Sequence, residues 1–78
     1  MSSLQVKTEP LAVDVLFDKD MMILKLADGR ELGVPLEWFP RLRNANRRQL
    51  KKWQLIGKGI GVHWKELDED ISVEGLLK

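Results

Sequence analysis

Cysteine and long apolar runs are both missing from this chain. Without cysteine it cannot form a disulfide, a thiolate zinc site or a cysteine nucleophile. No stretch approaches the roughly 20 apolar residues that span a bilayer, and the first ten residues lack the apolar core of a signal peptide. Small secreted domains usually depend on disulfides, so we expect a cytoplasmic protein with no membrane association.

Acidic residues are also missing from one long window of the chain, residues 38–65. That window carries eight basic residues, whereas the remainder carries five basic and all twelve acidic residues. The net charge of +1 therefore combines +8 in the window with −7 elsewhere. Such segregation predicts a surface that attracts a partner of opposite charge.

Length and composition predict a single domain. Seventy-eight residues with 44% apolar content can build one compact core and no more. We assign residues 11–78 to this domain and expect residues 1–10 either to fray or, at residues 4–7, to add an edge strand. The predicted class is α+β: a small antiparallel sheet of about five strands in two hairpin units, with one or two short helices packed on one face.

Alternating apolar residues predict a three-stranded meander in the first half of the domain. Asp28-Gly29 is typical of a two-residue hairpin turn, because glycine accepts the positive φ that such a turn requires. Met21 and Ile23 fall on the outer face of the central strand, where they would form a sticky patch if no helix covered them. The residues expected on the inner face are Val13, Val15 and Phe17, then Met22, Leu24 and Leu26, then Leu32 and Val34.

After Pro35 the period changes to one typical of short helices. Pro40 is tolerated only in the first turn of a helix. Asn46 followed three residues later by Gln49 is a capping-box pattern that opens a second short helix. The basic residues of this second helix fall on one side, with Leu50 and Trp53 on the other.

The last third of the chain predicts a second hairpin around Gly57-Lys58-Gly59. Here Ile60, Val62 and Trp64 are expected to point inward and His63 outward. The chain then turns through residues 66–70, and Ser72 caps a final helical turn. The three tryptophans, Trp38, Trp53 and Trp64, are assigned mostly to the core, with one of them available as an interface anchor.

Several segments resemble one family. They are residues 33–42 (GVPLEWFPRL), 53–57 (WQLIG), 60–64 (IGVHW) and 67–73 (LDEDISV), so that the resemblance covers residues 11–77. The chain is similar to the bacterial family catalogued as domain of unknown function 2442. Lys65 departs from it, because many relatives have proline there, and this loosens the predicted turn.

The resemblance implies a small α+β fold and a partner-binding role. Some relatives carry an added helix-turn-helix domain, which this sequence lacks, and members often neighbour a gene for a small toxin-like protein. An antitoxin-like function is therefore the usual interpretation of the family. It has no established catalytic residues to carry over to this chain.

Catalytic and metal sites find little support in the sequence. His63 is the only histidine, and no Gly-x-Ser-x-Gly turn presents a nucleophile to it. Asp68-x-Asp70-x-Ser72 resembles the start of a calcium loop, but Val73 occupies the position that requires glycine. We therefore expect no enzymatic activity, no metal and no cofactor.

Partner binding through a basic helical face is the function that the sequence favours. An acidic protein is the preferred partner, because no exposed aromatic residue lies among the cations to stack bases. A nucleic-acid-binding regulator that uses the same face is the alternative, and self-association is a third expectation. The predicted partner-binding residues are Arg41, Arg43, Arg47, Arg48, Lys51 and Lys52.

Overall fold

The computed structural model describes residues 10–77. Its six strands form two separate three-stranded antiparallel sheets, and three short α-helices accompany them. The α+β class is confirmed, but the prediction of about five strands in one sheet is wrong. The edge strand predicted at residues 4–7 lies outside the described residues. In the described part of the chain, no helix is long and apolar enough to cross a membrane.

Sheet 1 is the predicted meander, with strands β1 (Ala12–Phe17), β2 (Met21–Leu26) and β3 (Glu31–Pro35) in that order. Every second residue of β2 is buried, as the alternation predicts. The prediction that Val13 points inward is wrong, because its side chain is 53% exposed. The pairing of β1 with β2 slips between Ala12 and Asp14, and this bulge transfers the inner position from Val13 to Ala12.

The β2–β3 hairpin turns at Asp28-Gly29, where Gly29 has a φ of 95°. The backbone N–H of Leu26 bonds to the carbonyl of Arg30, so the loop has three residues rather than the predicted two. Asp28 accepts hydrogen bonds from Nε and from the backbone N–H of Arg30, at 2.9 and 3.0 Å. These bonds lower the pKa of Asp28, and the same contact raises the pKa of Arg30.

Sheet 2 contains β4 (Trp53–Ile56), β5 (Gly61–Trp64) and β6 (Glu69–Ser72), again in sequence order. The hairpin around Gly57-Lys58-Gly59 is confirmed. Strand β6 is new, because the end of this stretch was predicted as a turn. Ile60 was expected to point inward but is 60% exposed, since it belongs to the loop rather than to β5.

The two sheets share one core, and a backbone hydrogen bond joins them: the N–H of Ala12 donates to the carbonyl of Gly59 at 2.7 Å. A second bond, from the N–H of Val73 to the carbonyl of Ile60 at 3.0 Å, continues the β5–β6 ladder of sheet 2 to the start of the last helix. Both sheets contribute buried side chains, as does the last helix, α3 (Val73–Leu77). At α3, the hydroxyl of Ser72 accepts the N–H of Gly75 at 3.1 Å, as predicted for a capping residue.

Candidate functional site

The predicted basic face belongs to the connection between the two sheets, residues 36–52. The connection contains a 3₁₀ turn (Leu36–Trp38), helix α1 (Pro40–Arg43) and helix α2 (Arg47–Leu50). Pro40 occupies the first turn of α1, where its missing N–H is harmless. The capping box that opens α2 is confirmed, with both Asn46–Gln49 hydrogen bonds formed at 2.8 and 3.1 Å.

The inner side of the connection is anchored in the core. Leu36, Leu42 and Leu50 are buried. The indole N–H of Trp64 donates a buried hydrogen bond of 3.0 Å to the carbonyl of Leu50, which ties the end of α2 to sheet 2. The outer side of the connection is therefore presented on a backbone that the core holds in place.

The cations of α1 are individually matched with carboxylates. Arg43 lies 2.9 Å from the carboxylate of Asp20 and 3.2 Å from that of Glu37. Arg41 donates to the backbone carbonyl of Asp68, and its guanidinium lies 3.9 Å from the carboxylates of both Asp68 and Glu69. Arg43 thus connects α1 to sheet 1, and Arg41 connects α1 to the β5–β6 turn.

The four predicted cations that follow α1 differ in whether they have a carboxylate partner. Lys52 lies 3.3 Å from the carboxylate of Glu66. Arg47, Arg48 and Lys51, which we call the basic triad, are exposed and have no ion pair or side-chain hydrogen bond within residues 10–77. Arg47 and Lys51 are four residues apart along α2 and its cap, so they share one side of the helix. The structure thus separates the triad from three cations that are already matched.

Trp38 is the tryptophan that lies outside the core, where the sequence prediction assigned the three mostly to the core and left one available as an interface anchor. Its side chain is 63% exposed, whereas Trp64 is buried and Trp53 is half-buried against the core. The 3₁₀ turn brings Leu36 and Phe39 inward, because residues three apart lie on one side of such a turn. Trp38 lies between them in sequence and faces away. The three-residue spacing of Leu36, Phe39 and Leu42 was the sequence signal for this orientation.

A shallow cleft of about 800 Å³ on sheet 2 is a surface that sequence reasoning missed. Its apolar lining includes Leu11, Ile56 and Ile60, and Lys58 and Asp70 also contribute to it. The assignment of Ile60 to the core concealed this cleft, because an inward Ile60 could not line a surface.

His63 pairs with Asp70 across strands β5 and β6. The Nδ1 atom of His63 contacts Oδ1 of Asp70, at directly opposite positions of the ladder. The hydroxyl of Ser72 is used by the N–H of Gly75 and has no hydrogen bond to His63. The pair therefore links strands β5 and β6.

Two solved structures of bacterial proteins are similar to this chain. A crystal structure of a protein of unknown function from Rhodospirillum rubrum is 32% identical, with a TM-score of 0.76 over 90% of this chain and 87% of that one. A solution NMR structure of an uncharacterized protein from Chromobacterium violaceum is 28% identical, with a TM-score of 0.73. It is matched over 86% of this chain and 63% of its own length. No curated protein matches.

A protein-family model also matches this chain. The model described as protein of unknown function (DUF2442) matches residues 12–78, which is nearly the whole sequence. The resemblance carried by the GVPLEWFPRL and LDEDISV segments is thereby confirmed. The chain belongs to the DUF2442 family.

Proposed function

We propose that this protein is a non-enzymatic interaction module that binds an acidic surface of a partner protein through the basic triad. The observation that supports this most directly is the contrast within one connection. Arg41, Arg43 and Lys52 are matched by carboxylates, whereas the triad residues Arg47, Arg48 and Lys51 are not, within residues 10–77. Adjacent cations without carboxylate partners repel one another and do not stabilise the fold, so their position is better explained by the binding of a partner.

The mechanism that we propose is occlusion of the partner. Unmatched cations on a fixed helix attract a complementary surface over about one Debye length, roughly 8 Å at physiological salt. Contact between apolar groups then sets the lifetime of the complex. An antitoxin-like role in a two-component pair is the form of this function that we favour. We place it in the cytoplasm, where proteins rarely depend on disulfides.

A nucleic-acid-binding regulator is the second candidate, because phosphates would also bind the triad. Three phosphate contacts would give a slope of only about −2.7 for the logarithm of affinity against that of salt concentration. Proteins that track a nucleic-acid backbone usually make more contacts than this. The small size of the triad favours a protein partner.

The test is charge reversal with a matched control. Arg47, Arg48 and Lys51 are replaced together by Glu in a tagged chain, and capture from nuclease-treated bacterial lysate is compared with the wild type. The control variant replaces Lys19, Lys58 and Lys65 by Glu. These lysines are also exposed and unmatched within residues 10–77, and the change in net charge is the same.

We expect the triad variant to bind the captured protein at least tenfold more weakly than the control variant, with unchanged far-UV circular dichroism. Equal affinity of the two variants would show that net charge alone matters and would refute a specific surface. Capture that nuclease treatment abolishes would favour the nucleic-acid alternative.

A further inference from the structure

Trp38 is the most exposed large apolar side chain in the described part of the chain. Its indole N–H has no hydrogen-bond acceptor within residues 10–77, whereas that of Trp64 bonds to Leu50. An indole buries up to about 250 Å² when it is covered, so this exposure leaves a large apolar surface in water.

The backbone beneath Trp38 is fixed from both sides. The N–H of Leu36 donates to the carbonyl of Asp20 at 3.0 Å, and the N–H of Phe39 donates to the carbonyl of Leu36 at 2.9 Å. Arg43 holds the neighbouring Glu37 in an ion pair. Little conformational entropy would be lost when a partner covers the indole, because the turn that carries it is already ordered.

We propose that Trp38 is the apolar anchor of the same interface, because Trp38 and the basic triad are both exposed on the one connection, residues 36–52, whose three leucines are buried in the core. The partner is then a protein with an apolar pocket beside an acidic patch. This inference rests on the proposed function, which supplies the acidic patch through the basic triad. The pocket would take the indole ring and offer an acceptor to its N–H. Tryptophan is among the residues most enriched at the energetic centre of protein interfaces.

A nucleic-acid base could also stack on an exposed indole, but the surroundings of Trp38 favour a protein. The two cations nearest to Trp38 in sequence are Arg41 and Arg43, and both already lie against carboxylates. A phosphate would have to displace these ion pairs before it could reach either cation.

The experiment measures the association and dissociation rates of the complex, to separate the contribution of Trp38 from that of the basic triad. The probe is the protein that the wild-type chain captures after nuclease treatment, purified and followed by surface plasmon resonance. Trp38→Ala is compared with Trp38→Phe, and the matched control is Ile60→Ala, whose side chain is equally exposed but lies in the cleft of sheet 2.

We expect Trp38→Ala to raise the dissociation rate about thirtyfold, the factor that corresponds to the hot-spot threshold of about 2 kcal/mol. The association rate and its salt dependence should stay unchanged, and Trp38→Phe should recover part of the loss. Charge reversal of the triad should instead slow association.

Two results would overturn the anchor. One is a dissociation rate that Trp38→Ala leaves unchanged while triad reversal still slows association, in which case the proposed function stands without Trp38. The other is an equal effect of Ile60→Ala, which would move the contact to the cleft. Capture of nucleic acid alone, or of nothing, would refute the proposed function and this inference together.

Discussion

The indole nitrogen of Trp64 and the carbonyl oxygen of Leu50 form a buried hydrogen bond of 3.0 Å between sheet 2 and the end of α2. The last carbonyls of a helix have no partner within the helix, and this bond satisfies one of them. A helix of four residues is not stable by itself, so α2 depends on such tertiary contacts. The basic triad is positioned by the same bond.

Replacement of Trp64 by Phe should destabilise the domain by about 1–3 kcal/mol for the unsatisfied carbonyl, with a further cost for the smaller ring. The free energy of unfolding from urea titration measures this change. Trp38→Phe is the control, because an exposed side chain should change that free energy by less than about 0.5 kcal/mol. Similar values for the two variants would show that the buried hydrogen bond contributes little.

Gly59 is expected to tolerate no side chain, because its backbone lies against that of β1. A Cβ atom there would be 2.2 Å from the carbonyl oxygen of Ala12, and Gly59 has a φ of 110°. Gly29 has a similar φ of 95° with open space around it, so Gly29→Ala measures the backbone cost alone, about 1–2 kcal/mol. Thermal and urea unfolding should show Gly59→Ala to be at least twice as destabilising. Equal losses would mean that the two sheets separate easily at this contact.

Acid should remove the stabilising contribution of Asp28. Its pKa is lowered in the folded state by hydrogen bonds from Arg30, relative to about 3.9 in an unfolded chain. The contribution is therefore fully present above the unfolded pKa and is lost as the pH falls through the folded pKa. We expect the wild type to exceed Asp28→Asn in free energy of unfolding at pH 6, and this difference to shrink as the pH falls below about 3.9.

Arg30→Gln provides the companion variant for this measurement, because it removes the cause of the lowered pKa and keeps the carboxylate. The free energy of unfolding of Arg30→Gln should therefore lack the part of the wild type's acid dependence that comes from Asp28. A difference between wild type and Asp28→Asn that persists unchanged at low pH would contradict the assignment to this ion pair.

Features that depend on neighbouring residues could be predicted from the sequence. The capping box of Asn46 and Gln49 and the cap at Ser72 formed as expected, and the hairpin turns at Asp28-Gly29, although with a loop one residue longer than predicted. Each is a contact between groups a few residues apart, so the local sequence specifies it. The alternating burial of β2 followed for the same reason, since the period of a strand is visible in one segment.

Features that the residue pattern of one segment does not show could not be predicted. Strand β6 has only Ile71 buried, so its pattern resembles a polar turn although β5, its partner, directly precedes it in sequence. The bulge that exposes Val13 accompanies the contact of Ala12 with Gly59 in the other half of the chain. That contact joins residues far apart in sequence, so no local pattern could indicate it.

The sequence by itself determined the class of the fold, the sign of the charge in residues 38–65 and the start of α2, because these follow from composition and short-range contacts. Tertiary structure alone decided which cations remain unmatched. Arg43 meets Asp20 across 23 residues and Arg41 meets Asp68 across 27, and only folding brings such groups together. The same packing leaves Trp38 exposed, because the short turn can direct only Leu36 and Phe39 towards the core.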